Sequence, residues 1–221
     1  MTSPTAADSR LFDALHTSAV RDAAGLRAVY EQPTDAVVRK QVDRIHEPAR
    51  QLIGCSPLVL VASAGADGRC DVSPRGGPAG FVAVLDERTL AIPDATGNRR
   101  LDSLHNIVET GRVGLLFVVP GRDTTLRVNG RACVSTDARL LEQLTAVGKP
   151  PRSAIVVEVD EVYGHCPKSF LRAGAWRPES WPAADALPSS AEVTLSHLRD
   201  PGLTLADIQQ SERESLLYRY E

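Results

Sequence analysis

The sequence lacks an excess of either charge: 25 Lys and Arg stand against 28 Asp and Glu, a formal net charge of −3. A chain that binds nucleic acid through its whole surface is basic, so any basic function here must be local. The opening stretch MTSPTAADSR has neither the basic region nor the apolar core of a secretory signal. No apolar run approaches the roughly 18 residues of a membrane-crossing helix. These absences predict no nucleic-acid partner and no membrane. Cysteine is scarce: Cys55, Cys70, Cys133 and Cys166 are scattered, with no CxxC pair. They read as reduced thiols and predict a cytoplasmic location. The five histidines, His16, His46, His105, His165 and His197, form no HExxH or HxH pattern, so no metal site is expected. There is no GxSxG, GxGxxG or Walker sequence, which argues against a nucleophile-elbow hydrolase, a Rossmann domain and a P-loop. Repeats and low-complexity tracts are absent.

What is present is a polar helical start followed by many short β-like runs. The 221 residues allow one domain with extensions, or two small ones. Residues 34–53, TDAVVRKQVDRIHEPARQLI, place Val38, Val42, Ile45, Ala49 and Leu52 or Ile53 on one helical face behind a Thr34 or Asp35 cap. From residue 57 the texture changes. PLVLVAS and RCDVSP flank the hairpin turn GADG, and FVAVLD and TLAIP flank a turn near Glu87. RVGLLFVVPG is apolar from Val113 to Val119, the pattern of a strand buried on both faces. DTTLRVNGRACVS alternates, with Gly130 marking a bulge or a bend. DARLLEQLTAVG (residues 137–148) reads as a short helix, SAIVVEVDEVYGHCP as a last long strand, and SWPAADALPSSAE as a linker. TLADIQQSERESLLYRYE opens with a T-x-x-D cap and reads as a C-terminal helix. The order predicts a mainly β fold with flanking helices, a barrel or sandwich rather than a parallel sheet. Three segments follow: a helical extension over 1–54, a β domain over 55–180, and a linker with a helix over 181–221.

Four stretches carry candidate chemistry. In TGNRRLDSLHNI, Asn98 is a good helix cap, which puts Arg99 and Arg100 in a first helical turn. Cations are disfavoured there by roughly 0.3–1 kcal/mol each. A bound phosphate reverses that sign, because the free N–H groups, the helix dipole and two guanidiniums then converge on one dianion, with Ser103 one turn on. The alternatives are solvated arginines, or pairing with Asp94 or Asp102. In CDVSPRGGPAGF, a proline inside a strand marks an edge or a break, and Ser73, Pro74 and Arg75 before Gly76 and Gly77 let backbone approach a flat or charged group. Arg127 and Asn129 alternate with Leu126 and Val128 and share one strand face. GHCPKSF ends the last strand with His165, Cys166 and Lys168; Cys166 reads as structural or ligand-lining, since no base at fixed spacing activates it.

The order DGRCDVSPRG, TLAIPD, GNRRLDSLHNI, RVGLLFVVPG, TLRVNGRA resembles the pyridoxamine 5′-phosphate oxidase-like, FMN-binding split-barrel flavoproteins, over roughly residues 35–177. The resemblance implies a six-stranded antiparallel split β-barrel, a homodimer and FMN at the dimer interface. It implies that Asn98, Arg99, Arg100 and Ser103 hold the FMN phosphate. It implies that Val72, Ser73, Pro74, Arg75, Ile92, Pro93 and Asp94 line the flavin ring, with Arg127 and Asn129 nearby. Lys168 and Trp176 would approach from the partner protomer. The activity implied is that of an FMN-dependent oxidoreductase acting on a small molecule, with NAD(P)H as a candidate electron donor. The same barrel can instead hold deazaflavin or haem, or serve as a redox-sensing module. Vitamin B6 oxidases of this family carry an RxVxLK strand where this chain has CDVSPRG, which points away from pyridoxamine phosphate as substrate.

Overall fold

The computed structural model describes residues 10–95, 97–144 and 150–219. The chain divides into two compact units, Met1–Arg39 and Lys40–Glu221. The described residues of the first hold three short helices, α1 (Arg10–His16), α2 (Ala23–Val29) and α3 (Asp35–Arg39). Asp22 caps α2 by accepting from the Gly25 N–H at 2.8 Å. None of the three helices has a buried residue.

The expected continuous helix over 34–53 is broken. α3 ends at Arg39, and helix α4 begins at Glu47 and runs to Cys55. Pro48 explains the restart: it has no N–H to give a preceding carbonyl and is tolerated only in a first turn, where it sits. Between the helices Val42 forms an antiparallel bridge with Val162, in which each N–H donates to the other's carbonyl, at 3.0 and 2.7 Å.

The second unit is built on one antiparallel sheet of seven strands: β1 (Leu58–Ala64), β2 (Cys70–Gly76), β3 (Ala83–Val84), β4 (Thr89–Pro93), β5 (Arg112–Val118), β6 (Thr125–Ser135) and β7 (Ala154–His165). Their order is β2-β1-β5-β6-β7-β4-β3. The architecture is thus mainly antiparallel sheet with flanking helices, as the sequence predicts. The run FVAVLD forms only the two-residue edge strand β3, which pairs with β4 alone, and counting it the sheet has seven strands where six were expected. Among the described residues the end strands β2 and β3 do not pair with each other, so the sheet is not closed. Pro74 lies on the edge strand β2, where a missing N–H costs least.

Register fixes which residues face the core. Ser73 pairs with Val61, Val61 with Leu115, and Leu115 with Val128, so these four share a face. That face carries the core: Val59, Val61, Val113, Leu115, Phe117, Leu126 and Val128 are all buried there, joined by Ile53 of α4 and by Leu90 and Ile92 of β4. β5 is not buried on both faces as expected. Its exposure alternates, with Gly114 and Leu116 half-buried on the outer side, the pattern of a sheet covered on one face. The bulge expected at Gly130 is present as a register shift between Asn129 and Gly130.

Helix α5 (Asp102–Thr110) fills the space over β1 and β2, with Leu104 and Ile107 in the core. Helix α6 (Ala138–Gln143) is capped by Asp137, which accepts from the Leu140 N–H at 2.9 Å. The rest of the helix expected over 137–148 lies outside the described residues from 145 onward. Helix α7 (Lys168–Ala173) follows β7. The expected linker over 180–192 ends in helix α8 (Ser190–Leu198), started by a capping box in which Ser189 and Glu192 satisfy each other's backbone N–H groups. Helix α9 (Leu205–Arg219) opens as predicted: Asp207 accepts from the Thr204 N–H and hydroxyl at 2.9 and 2.6 Å. The residues after Arg219 fall outside the description, as do residues 1–9, on which the absence of a signal was read. No helix among the described residues is long and apolar enough to cross a membrane.

Candidate functional site

The double arginine does not open a helix. α5 starts at Asp102, whose carboxylate suits the positive end of the helix dipole. The five residues before it form a loop with two left-handed, non-glycine positions, Arg99 (φ 63°) and Leu101 (φ 62°). Such conformations cost on the order of 1 kcal/mol or more and persist where surroundings fix them. The expected role of Asn98 as helix cap is corrected: its Oδ1 accepts from the Arg100 N–H at 3.0 Å, closing a local turn. This side chain-to-backbone bond offers the chain an alternative to helix, which is why helical geometry begins three residues later.

This loop forms one wall of a cleft of about 720 Å³, within the size range of small-molecule sites. The opposite wall is the edge strand β2. There Asp71, Ser73 and Arg75 alternate toward the core side, all half-buried, while Val72 points to solvent. The floor is the end of β4 with Asp94 and Ala95, and beside it Arg152 and Ser153, which lead into β7.

Polar groups in the cleft are mostly committed to one another. Arg75 donates from Nη1 to Asp94 Oδ1 at 2.7 Å, and both side chains are largely shielded from solvent. Burial raises the Asp94 carboxyl above its ordinary range and outweighs the pull of Arg75, although the contact has the geometry of a strong ion pair. The Arg75 Nε is buried without a hydrogen-bond partner. Arg100 pairs with Asp102 at 2.7 Å, and that pairing, led by the hydrogen bond, raises the guanidinium further. Ser103 is buried and donates to Asp71 Oδ2 at 2.5 Å. Its single proton is thereby used, so in the 2.9 Å contact with Ser73 it is Ser73 that donates. Two cations remain: Arg99 and Arg152 line the cleft, and neither makes an ion pair among the described residues.

The cleft therefore brings together Ser73, Pro74, Arg75, Asp94, Asn98, Arg99, Arg100 and Ser103 of the residues singled out from sequence. The others lie elsewhere in the single chain. Val72 is exposed on the far side of β2, and Ile92 and Pro93 are buried in the sheet. Arg127 and Asn129 alternate with Val128, so register puts them on the face opposite Ser73. There Arg127 donates to the Tyr163 hydroxyl at 3.0 Å and sits 5.5 Å over its ring, and Asn129 donates to Glu161 at 2.9 Å. Next to them the His165 ring is held below its ordinary range, first by burial and then by the charges of Arg127 and Lys40. Lys168 is exposed at the start of α7. Trp176 stacks on Phe170 and donates to the Arg122 carbonyl at 2.9 Å.

Sequence reading passed over Asp71 and Arg152. Asp71 was findable, since it shares the alternation of Ser73 and Arg75. Arg152 carries no local signal, because it reaches the cleft only through the pairing of β4 with β7.

Fold and site define a mainly antiparallel β protein with a polar, cation-bearing cleft between the edge strand β2 and the end of β4. The sequence profile of the pyridoxamine 5′-phosphate oxidase family matches residues 45–166, more than half of the chain. The chain belongs to that family. Solved structures similar to it include a candidate pyridoxamine 5′-phosphate oxidase of Lactobacillus delbrueckii (24% identity over 55% of this chain and 95% of that one, TM-score 0.45). HupZ of Group A Streptococcus is 21% identical over 54% of this chain and 93% of its own, with a TM-score of 0.45. A conserved hypothetical protein of Mycobacterium tuberculosis, Rv2991, is 13% identical over 67% and 96%, with a TM-score of 0.42. No curated protein matches.

Proposed function

We propose that the protein is an FMN-dependent oxidoreductase, active as a homodimer, with the flavin phosphate in the cleft between the 97–101 loop and the edge strand. The observation that carries this is the charge inventory of the cleft: after its internal pairs are made, unpaired guanidinium remains, and Arg99 projects from the loop that precedes a helix N-terminus. The donor set fits a phosphate monoester, and the cleft volume fits a ligand of flavin size.

Within this reading Arg99 holds the phosphate and Arg100 fixes the loop through Asp102. Ser73, Pro74 and Arg75 supply the wall for the ring, with Asp94 holding Arg75 in place. Lys168, Trp176, Arg127 and Asn129 lie outside the cleft of one chain, so any contact they make with flavin comes from a second copy. Bound FMN supplies the hydride and electron chemistry, and the protein binds, orients and shields it.

The test is direct. The purified full chain should be yellow, absorb near ~450 nm, and release FMN on denaturation. Arg99→Ala should weaken FMN binding roughly tenfold or more, the loss of a charge-assisted contact. A colourless protein without FMN affinity removes the reading, and release of a deazaflavin or haem replaces it with another cofactor on the same fold.

A further inference from the structure

The pairing of β4 with β7 continues past the named strands. Pro93 pairs with Ala154, and the Asp94 N–H donates to the Ser153 carbonyl at 2.9 Å. One step further in this antiparallel register, Arg152 comes beside Ala95, two positions before Gly97. An arginine far away in sequence is thereby delivered to the base of the loop that carries Arg99. Both line the same cleft.

The other cations of the cleft are paired, and its buried hydroxyl is committed. Arg75 is held by Asp94, Arg100 by Asp102, and the Ser103 proton by Asp71. A phosphate monoester carries close to two negative charges at neutral pH. Arg99 alone leaves one of them uncompensated, and the Asp71 carboxylate in the same cleft adds repulsion. Arg152 supplies the second charge from a different segment.

We propose that Arg152 is a specificity-determining residue of the cleft: with Arg99 it forms a two-sided clamp that selects ligands bearing a phosphate monoester over the same ligand without it. The functional pair is thus Arg99 with Arg152, not the adjacent Arg99 and Arg100. The proposal rests on the flavin reading above. Neutralising Arg152 weakens binding of the phosphorylated ligand and leaves the unphosphorylated one alone. A lysine there, keeping the charge, preserves most of the preference.

The experiment compares FMN with riboflavin on the full-length protein, by quenching of flavin fluorescence at low and high salt. The wild type binds FMN more tightly than riboflavin, and more so at low salt. Arg152→Gln reduces FMN affinity roughly tenfold with riboflavin affinity unchanged, and Arg152→Lys recovers most of the loss. Arg139→Gln, an exposed cation on α6 outside the cleft, serves as the charge control and leaves both affinities as they were. A wild type that prefers FMN, paired with an Arg152→Gln variant that prefers it equally, overturns the clamp and leaves the flavin reading standing. An equal loss in the Arg139 variant overturns it too, since the effect is then one of overall charge. A wild type that binds neither flavin removes the flavin reading itself.

Discussion

Replacing Ser103 with alanine separates a structural role of the cleft wall from a ligand-binding one. Ser103 is 2% exposed. Its hydroxyl donates to Asp71 at 2.5 Å and accepts from Ser73 at 2.9 Å. A hydrogen bond to a charged acceptor contributes about 1.5–3 kcal/mol, and a neutral one about 0.5–1.5 kcal/mol. Asp71 and Ser73 are only half-buried, so water recovers part of both, and the net cost should be about 2 kcal/mol. For a chain of this size that lowers the melting temperature by about 4–8 °C, readable by circular dichroism or a urea midpoint. With the Ser103 proton committed to Asp71, the proposed flavin reading leaves the phosphate to Arg99 and Arg152. The preference for FMN over riboflavin should therefore move by less than about threefold, well under the tenfold of one charged contact. In a double-mutant cycle with Asp71→Asn the stability losses should be less than additive, since the two share one bond. A Ser103→Ala protein that melts like wild type but loses its FMN preference would refute the assignment and return the hydroxyl to the phosphate.

Two further perturbations test the frame around the site. Gly130 sits at the β6 bulge, where an added Cβ would lie 2.1 Å from the Glu158 carbonyl oxygen, so Gly130→Ala must push β6 and β7 apart. It should cost about 2–3 kcal/mol in urea unfolding, and a loss under about 0.5 kcal/mol would show that the bulge yields freely. Asp94 tests the balance of burial against pairing. Its carboxyl is raised in the folded state from the ordinary 3.8, first by burial. The folded chain therefore holds that proton to higher pH than the unfolded chain. The resulting stability is full below the unfolded value and is lost as pH rises through the folded one. Urea midpoints of wild type relative to Asp94→Asn should thus fall as pH rises out of the ordinary carboxylate range and through the raised folded value; a relative rise there would mean that Arg75 dominates instead.

Much of this fold is legible in local chemistry. The Thr204–Asp207 cap, the Gly130 bulge and the edge placement of Pro74 each follow from one residue's donors, volume or missing N–H. The errors arise where two local signals compete. Apolar spacing over 34–53 favours one helix, but Pro48 allows only a restart, and Val42 turns to bridge Val162. Asn98 is a good cap and equally a good turn former, and two left-handed residues decide for the turn.

The site is legible only in part because its charges are balanced across strands. Reading along the chain, Arg99 and Arg100 form a pair, and Arg75 and Ser103 read as free to meet a ligand. Register and side-chain geometry divide them differently. Three of these four are neutralised or tied by Asp94, Asp71 and Asp102, which makes them framework. An arginine with nothing to mark it in sequence is brought in by a strand that begins two residues later. A carboxylate beside each committed donor keeps the apo cleft from accumulating uncompensated positive charge, which would cost stability. The cations left unpaired are the ones a bound anion can neutralise, so affinity for a phosphate should follow Arg99 and Arg152, and stability should follow the pairs.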